Sequence, residues 1–394
     1  MDITLKPGKL KGHINAISSK SFAHRIIMAA ALADSPARIY LNTFSEDIEA
    51  TISCISSLGA NVVKFNGGIT VTPINRDNPP KNPILDCRES GSTARFIIPV
   101  AAGFCPEFTV IGKGRLPERP FSPLISQLRA NGISADSDKL PIHVSGRLHA
   151  GKYELAGNIS SQYITGLMLA LPQCAGDSKI ILTSPLESAG YIDITMSVLS
   201  DFGISVTKTD SGFYVPSAPF VSPREISVEG DWSNAAFWLA ADMLCGGICV
   251  DELNYNSVQG DKAFLGAANR DIIDAREIPD LVPILSVVAC AKNGTTKIIN
   301  AQRLRLKESD RIKTVCAALS SLGADISETD DGLIINGHGK LCGGECDGFN
   351  DHRIVMSCAI ASLICDSDVT IHGAEAVNKS YPGFFDDFEK LRVK

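Results

Sequence analysis

One pattern recurs through the chain: an amphipathic helix, a glycine, a strand, a polar turn and a second strand. It appears as CISSLGANVVKFNGGITV (54–71), ISQLRANGISADSDKLPIHV (125–144), MSVLSDFGISVTKTDSGFYV (196–215) and VCAALSSLGADISETDDGLIIN (315–336). Gly59, Gly132 and Gly203 are 73 and 71 residues apart, and Gly323 ends the fourth helix. Glycine just past the last apolar turn stops a helix, and the alternation behind it is that of a strand. Between these segments, small polar residues precede apolar helical runs starting at 18, 90, 160, 233, 280 and 350, spaced 72, 70, 73, 47 and 70 residues apart. The 394 residues thus hold six units, the fourth short. Period-2 and period-3.6 segments alternate throughout, which makes the class mixed α/β.

Six units divide into two lobes of three. The proline-rich segment VPSAPFVSPREISVEG (215–230) reads as the crossing between them. No linker is long enough to tether independent domains, so a hinge with a cleft is expected. The opening residues, MDITLKPGKL, carry no apolar run behind their lysines, and no secretory signal is expected. The longest apolar-rich stretch, 354–365, is too short to span a membrane. Twelve cysteines in such a chain read as reduced thiols in a cytoplasm. The C-x3-C pairs Cys245/Cys249 and Cys342/Cys346 read as free thiols, and no metal is expected.

A net charge of −7 argues against nucleic-acid or anionic-membrane partners, whose affinity draws on excess cations. Any bound anion must then be caught by a few placed cations. Eight stand at loop-to-helix junctions: Lys20, Arg25, Arg95, Arg119, Lys307, Arg311, Arg353 and Lys379. Serine, threonine, aspartate and asparagine at such starts are ordinary caps. A cation in the first turn, however, has the wrong sign for the helix dipole. An anion at the helix N-terminus would reconcile the two, which points to a phosphate-bearing small molecule. Nucleotide loops are absent, since Ile14 and Ser19 stand where a phosphate loop ending at Lys20-Ser21 needs glycine. GxGxxG after a strand, GxSxG and HExxH are also missing. Chemistry by general acids and bases remains, with Asp280 and Glu308 as candidates. As local features alone, Asp280 would be a helix cap and Glu308 a dipole-compensating carboxylate. Gly91, in the run Ser90-Gly91-Ser92-Thr93, either exposes backbone N–H groups to an anion or supplies a turn with positive φ.

Read in order, SKSFAHR (19–25), SGSTAR (90–95), ERP (118–120), SSQ (160–162), KESDRI (307–312), NDHR (350–353) and KSYP (379–382) resemble the 5-enolpyruvylshikimate-3-phosphate synthase family. The resemblance implies two domains, each of three βαβαββ repeats with helices inside, an inverted α/β barrel. It places residues 1–18 with 226–394, makes 19–225 the second domain, and sets the active site in the cleft between them. The implied reaction moves the enolpyruvyl group of phosphoenolpyruvate to the 5-hydroxyl of shikimate 3-phosphate, releasing phosphate through a tetrahedral intermediate. That is a step toward chorismate and the aromatic amino acids, and the family is the target of glyphosate.

By resemblance, Lys20, Gly91, Arg119, Gln162, Arg311, Arg353 and Lys379 take phosphoenolpyruvate. Lys20, Ser21, Arg25, Ser160, Ser161, Gln162, Ser188, Asp280 and Lys307 take shikimate 3-phosphate, with Tyr191 against its ring. Asp280 would be the base for the 5-hydroxyl, and Glu308 and Lys20 the proton shuttles for the methylene carbon. Glu89 and Arg303 stand where many relatives carry asparagine, and both stay outside the implied site. Ala189, where relatives can carry lysine, is a lesser departure. No cofactor is implied, and the expected form is a cytoplasmic monomer. The sister enzyme acting on UDP-N-acetylglucosamine normally has a cysteine in the loop matching Lys113–Arg119, and KGRLPER has none. A non-catalytic binder of phosphorylated metabolites would need the cations but not Asp280 and Glu308.

Overall fold

In the computed structural model, residues 1–393 are described, and they form two compact units: 18–228, and 1–17 with 229–393. The helices are α1 (Lys20–Leu32), α2 (Glu46–Ser57), α3 (Gly91–Ala102), α4 (Ser122–Ala130), α5 (Ser161–Ala170) and α6 (Ala189–Asp201) in the first unit. The discontinuous unit carries α7 (Trp232–Cys245), α8 (Phe264–Ala267), α9 (Val282–Ala291), α10 (Arg311–Ser321), α11 (His352–Ala361) and α12 (Phe384–Leu391). Many begin as the cap chemistry predicts. Ser19, Ser90, Ser160 and Asp231 each accept a backbone N–H from the first turn of α1, α3, α5 and α7. Gly59, Gly132, Gly203 and Gly323 all turn the chain with φ between 81° and 103°, the left-handed region that glycine enters without strain.

Among the described residues, four of the six sheets share one four-stranded topology, and the other two have three strands and two. Ile84–Asp86 runs parallel to Glu107–Ile111, which pairs antiparallel with Ile142–Ser145, itself antiparallel to Ser134–Ala135. Lys152–Leu155, Ser178–Leu182, Gly212–Val215 and Thr207–Thr209 repeat it, as do Ile272–Asp274, Asn293–Ile299, Leu333–His338 and Asp325–Glu328. A third sheet in the 18–228 unit contains Ala37–Tyr40, Gly68–Thr72 and Asn61–Phe65, but its first strand is Glu225–Ser227. That pairing corrects the domain boundary read from the sequence. Residues 226–228 stay with 18–228, because Ile226 and Ser227 pair with Ile39 and Tyr40. The discontinuous unit is completed in the converse way, Gly12–Asn15 running parallel to Ile248–Asp251.

The helices lie inside. In α1 every residue but Lys20 and Ser21 is buried, in α3 all but Ser92, and in α5 all but Gln162. A helix apolar all round belongs in a core: α5 packs against α3 and α6, while α1 and α3 also meet strands that alternate inward and outward residues. Their only accessible residues are at their N-terminal ends. The helices α9 and α11 of the other unit are as deeply buried. All twelve cysteines are free thiols. Among the described residues no helix is long and apolar enough to cross a membrane.

Candidate active site

Three buried helices of the 18–228 unit bring their starts together. Arg25 lies in the second turn of α1 rather than the first, and is 2% exposed. Its Nε donates to Thr195 Oγ1 at 2.8 Å, and its Nη atoms donate to Thr165 Oγ1 and the carbonyls of Ser21 and Tyr191. No carboxylate is among these partners. Burial pushes the Arg25 pKa down to about 9, which leaves it charged at neutral pH. A buried charge held only by dipoles is favourable ground for an anion. Lys20, the first residue of α1, donates to Asp47 Oδ2 at 2.9 Å.

The second-turn residue of α3, Arg95, donates to Gln162 Oε1 at 3.1 Å, while Gln162 Nε2 donates to Ser92 Oγ at 2.8 Å. Gly91 is the first residue of α3 and does not have positive φ, so the turn explanation falls. A Cβ placed there would lie 2.6 Å from Nη1 of Arg119 and of Arg95. Glycine therefore leaves room for two guanidiniums over the start of the helix. Ser160 caps α5 and Ser161 is its first residue. Ser188, buried at the start of α6, has φ 56° and ψ 46°. A serine held in the left-handed region carries strain of a kind that clusters at functional sites. Tyr191 lies one turn further along α6.

The discontinuous unit gathers a second group around Asp280, in the 3-10 turn Pro279–Leu281 before α9. Asp280 caps neither element, contrary to its reading as a local feature. Its Oδ1 accepts from Arg311 at 2.7 Å and Lys307 at 3.3 Å, and its Oδ2 from Arg353 at 3.2 Å. Glu308 accepts from Arg311 Nη2 at 2.7 Å, so it serves a guanidinium as well as the α10 dipole. Burial would lower the Arg311 pKa, but Asp351, Glu308 and Asp280 together raise it. Burial lowers the Lys307 ammonium against the pull of Asp280. Arg353, in the first turn of α11, also donates to Ser233 Oγ at 2.7 Å. Lys379, buried before α12, donates to the Asn350 carbonyl at 2.7 Å. Arg303 donates to the carbonyl of Arg276 at 2.7 Å, and its charge also bears on the Lys307 ammonium.

Several participants were missed in the sequence. Asp351 caps α11 and also grips Arg311 through Nε at 2.8 Å. Asp47 reads as a first-turn acid of α2 until Lys20 reaches it. Asp261 is buried, and burial followed by the charge of Asp280 pushes its carboxyl up to about 6. The Asp in NDHR was the available signal for Asp351. Nothing local marks the other two.

Repeat units with buried helices, cations at the helix starts and a carboxylate held among three cations define an α/β protein built to receive anions beside an acid–base group. The family model for EPSP synthase (3-phosphoshikimate 1-carboxyvinyltransferase) matches residues 5–273 and 269–388. A 3-phosphoshikimate 1-carboxyvinyltransferase of Clostridium novyi is 42% identical, covering 99% of this chain and 97% of that protein. One from Clostridium acetobutylicum is also 42% identical, with the same coverage. The solved structure of EPSP synthase from Acinetobacter baumannii shares the fold at a TM-score of 0.83 and 24% identity, covering 100% of this chain and 98% of that one. The chain belongs to the EPSP synthase family.

Proposed function

We propose that this enzyme transfers the enolpyruvyl group of phosphoenolpyruvate to the 5-hydroxyl of shikimate 3-phosphate and releases phosphate. The observation that carries the reading is Asp280, whose two carboxylate oxygens are shared among Lys307, Arg311 and Arg353. Lys307, Arg311 and Arg353 are paired with carboxylates among Asp280, Glu308 and Asp351 before any substrate arrives, and Lys20 with Asp47. An incoming dianion displaces these carboxylates from their partners. Asp280 is then free to take the proton of the 5-hydroxyl as that oxygen attacks C2 of phosphoenolpyruvate.

Addition forms the O–C2 bond and delivers a proton to the methylene carbon. Elimination removes that proton and breaks the C2–O bond to phosphate. Glu308 and Lys20 carry the methylene proton. Arg119, Gln162, Arg311, Arg353, Lys379 and the backbone at Gly91 hold phosphoenolpyruvate, with Lys20. Ser21, Arg25, Ser160, Ser161, Gln162, Ser188 and Lys307 hold shikimate 3-phosphate, with Tyr191 against its ring. Cytoplasmic action as a monomer is the accompanying reading, supported by twelve free thiols that suit a reducing compartment.

The test is phosphate release from phosphoenolpyruvate with shikimate 3-phosphate, run beside UDP-N-acetylglucosamine. Release with the first acceptor only is expected. Release with the second alone would assign the sister activity, and binding without release would reduce the protein to a carrier.

A further inference from the structure

The parallel pair formed by Gly12–Asn15 and Ile248–Asp251 carries a cluster that the transfer reaction does not use. His13 stands directly opposite Cys249 in the register, and Asp251 lies two residues beyond Cys249, on the same face. His13 Nδ1 is 3.0 Å from Asp251 Oδ2, and Cys249 Sγ is 3.5 Å from Asp251 Oδ1. The three ligand atoms all lie within 4.8 Å of one another. Bonds of about 2.0–2.3 Å to a tetrahedral zinc put ligand atoms roughly 3.3–3.8 Å apart, so side-chain rotation alone closes the set.

We propose that His13, Cys249 and Asp251 form a binding site for a borderline divalent cation such as Zn²⁺, with a fourth position left to water. Imidazole, thiolate and carboxylate together suit zinc better than magnesium or calcium, which take oxygen alone. The expectation of no metal came from the spacing Cys245/Cys249. The ligands here come instead from segments far apart in the chain, and Cys245 is not among them. His13 and Cys249 are exposed, which gives an ion direct entry. As a thiol, Cys249 donates to Asp251 Oδ1. A divalent cation would take the sulfur as thiolate, with release of its proton. Lys11, two residues before His13, lies with its stem over Gly247. The ion would tie the strand that leads out to Ile17 to the strand that follows the return at Glu229.

The test uses the full chain, stripped with a chelator and kept reduced without thiols. Titration with Co²⁺ should give one equivalent of binding, visible tetrahedral bands and a near-ultraviolet thiolate-to-cobalt band, all removed by Zn²⁺. Cys249→Ser should abolish the near-ultraviolet band, whereas the exposed Cys342→Ser keeps it. His13→Ala and Asp251→Ala should weaken binding by about tenfold or more. Zn²⁺ should raise the melting temperature of the parent and not of Cys249→Ser, because only the folded pair gathers the ligands. Enolpyruvyl transfer without metal should be the same in parent and variants. Absence of the near-ultraviolet band, its survival in Cys249→Ser, or equal zinc-induced stabilisation in parent and variant would each overturn the site.

Discussion

Arg311 is held by three carboxylates at once. It is 1% exposed and meets Asp351 through Nε and Nη2, Asp280 through Nη1 and Glu308 through Nη2. Removing one partner of a buried ion pair leaves an uncompensated charge, at about 3–5 kcal/mol. Asp351→Ala should therefore lower stability by roughly that amount in a denaturant titration, and a loss below about 1 kcal/mol would mean that Asp280 and Glu308 suffice. Asp280→Asn tests chemistry instead. Turnover should fall ~10²–10⁴-fold while shikimate 3-phosphate binding, followed by calorimetry, stays near that of the parent. A fall of less than tenfold would leave Asp280 only an organiser of its three cations.

Asp261 makes a pH prediction. Its folded-state value of about 6 lies above the ordinary carboxyl value of about 3.9 expected unfolded. Its stabilising contribution is full below the lower value and is lost as pH rises through the upper one. Asp231 and Asp280 oppose its ionisation while Arg353 and Ser233 favour it. The melting temperature of Asp261→Asn relative to the parent should therefore rise between pH 5 and pH 7.5, and a difference independent of pH would refute the shift.

Among elements, the contact between α3 and α5 shows packing overruling local preference. Gly166 sits inside α5, where alanine would be favoured by roughly 1 kcal/mol. A methyl there would lie 2.4 Å from the carbonyl oxygen of Arg95, a backbone atom that cannot swing aside. Overpacking of this kind costs about 1–3 kcal/mol, so Gly166→Ala should destabilise despite its better propensity. By moving the α3 start it should also raise the phosphoenolpyruvate KM. Gly91→Ala differs, because its methyl meets guanidinium ends rather than backbone. It should fold normally, with a melting curve close to the parent's, and lose phosphoenolpyruvate affinity. A large drop in melting temperature would instead assign Gly91 to the fold.

For the whole molecule, the exchange of first strands sets how the units are built. Glu225–Ser227 completes the sheet that begins with Ala37–Tyr40, so a fragment 18–228 should unfold cooperatively, whereas 18–224 leaves an open edge and should melt lower. Equal melting would show the strand to be dispensable. What the sequence by itself determined was everything written in neighbouring residues: six repeats, helices with caps, strand pairs after glycine, and cations beside those caps. These follow from periods of 3.6 and 2 and from bonds spanning a few residues, which any window of the chain displays. Only the tertiary structure decided that Arg25 rests on Thr165 and Thr195, that Lys20 meets Asp47, and that Asp351 holds Arg311. The same holds for His13 and Cys249, which lie opposite each other only because two distant strands pair. Such partners are chosen by which helix ends and strand registers the core brings together, and packing of that range leaves no periodic trace in the chain.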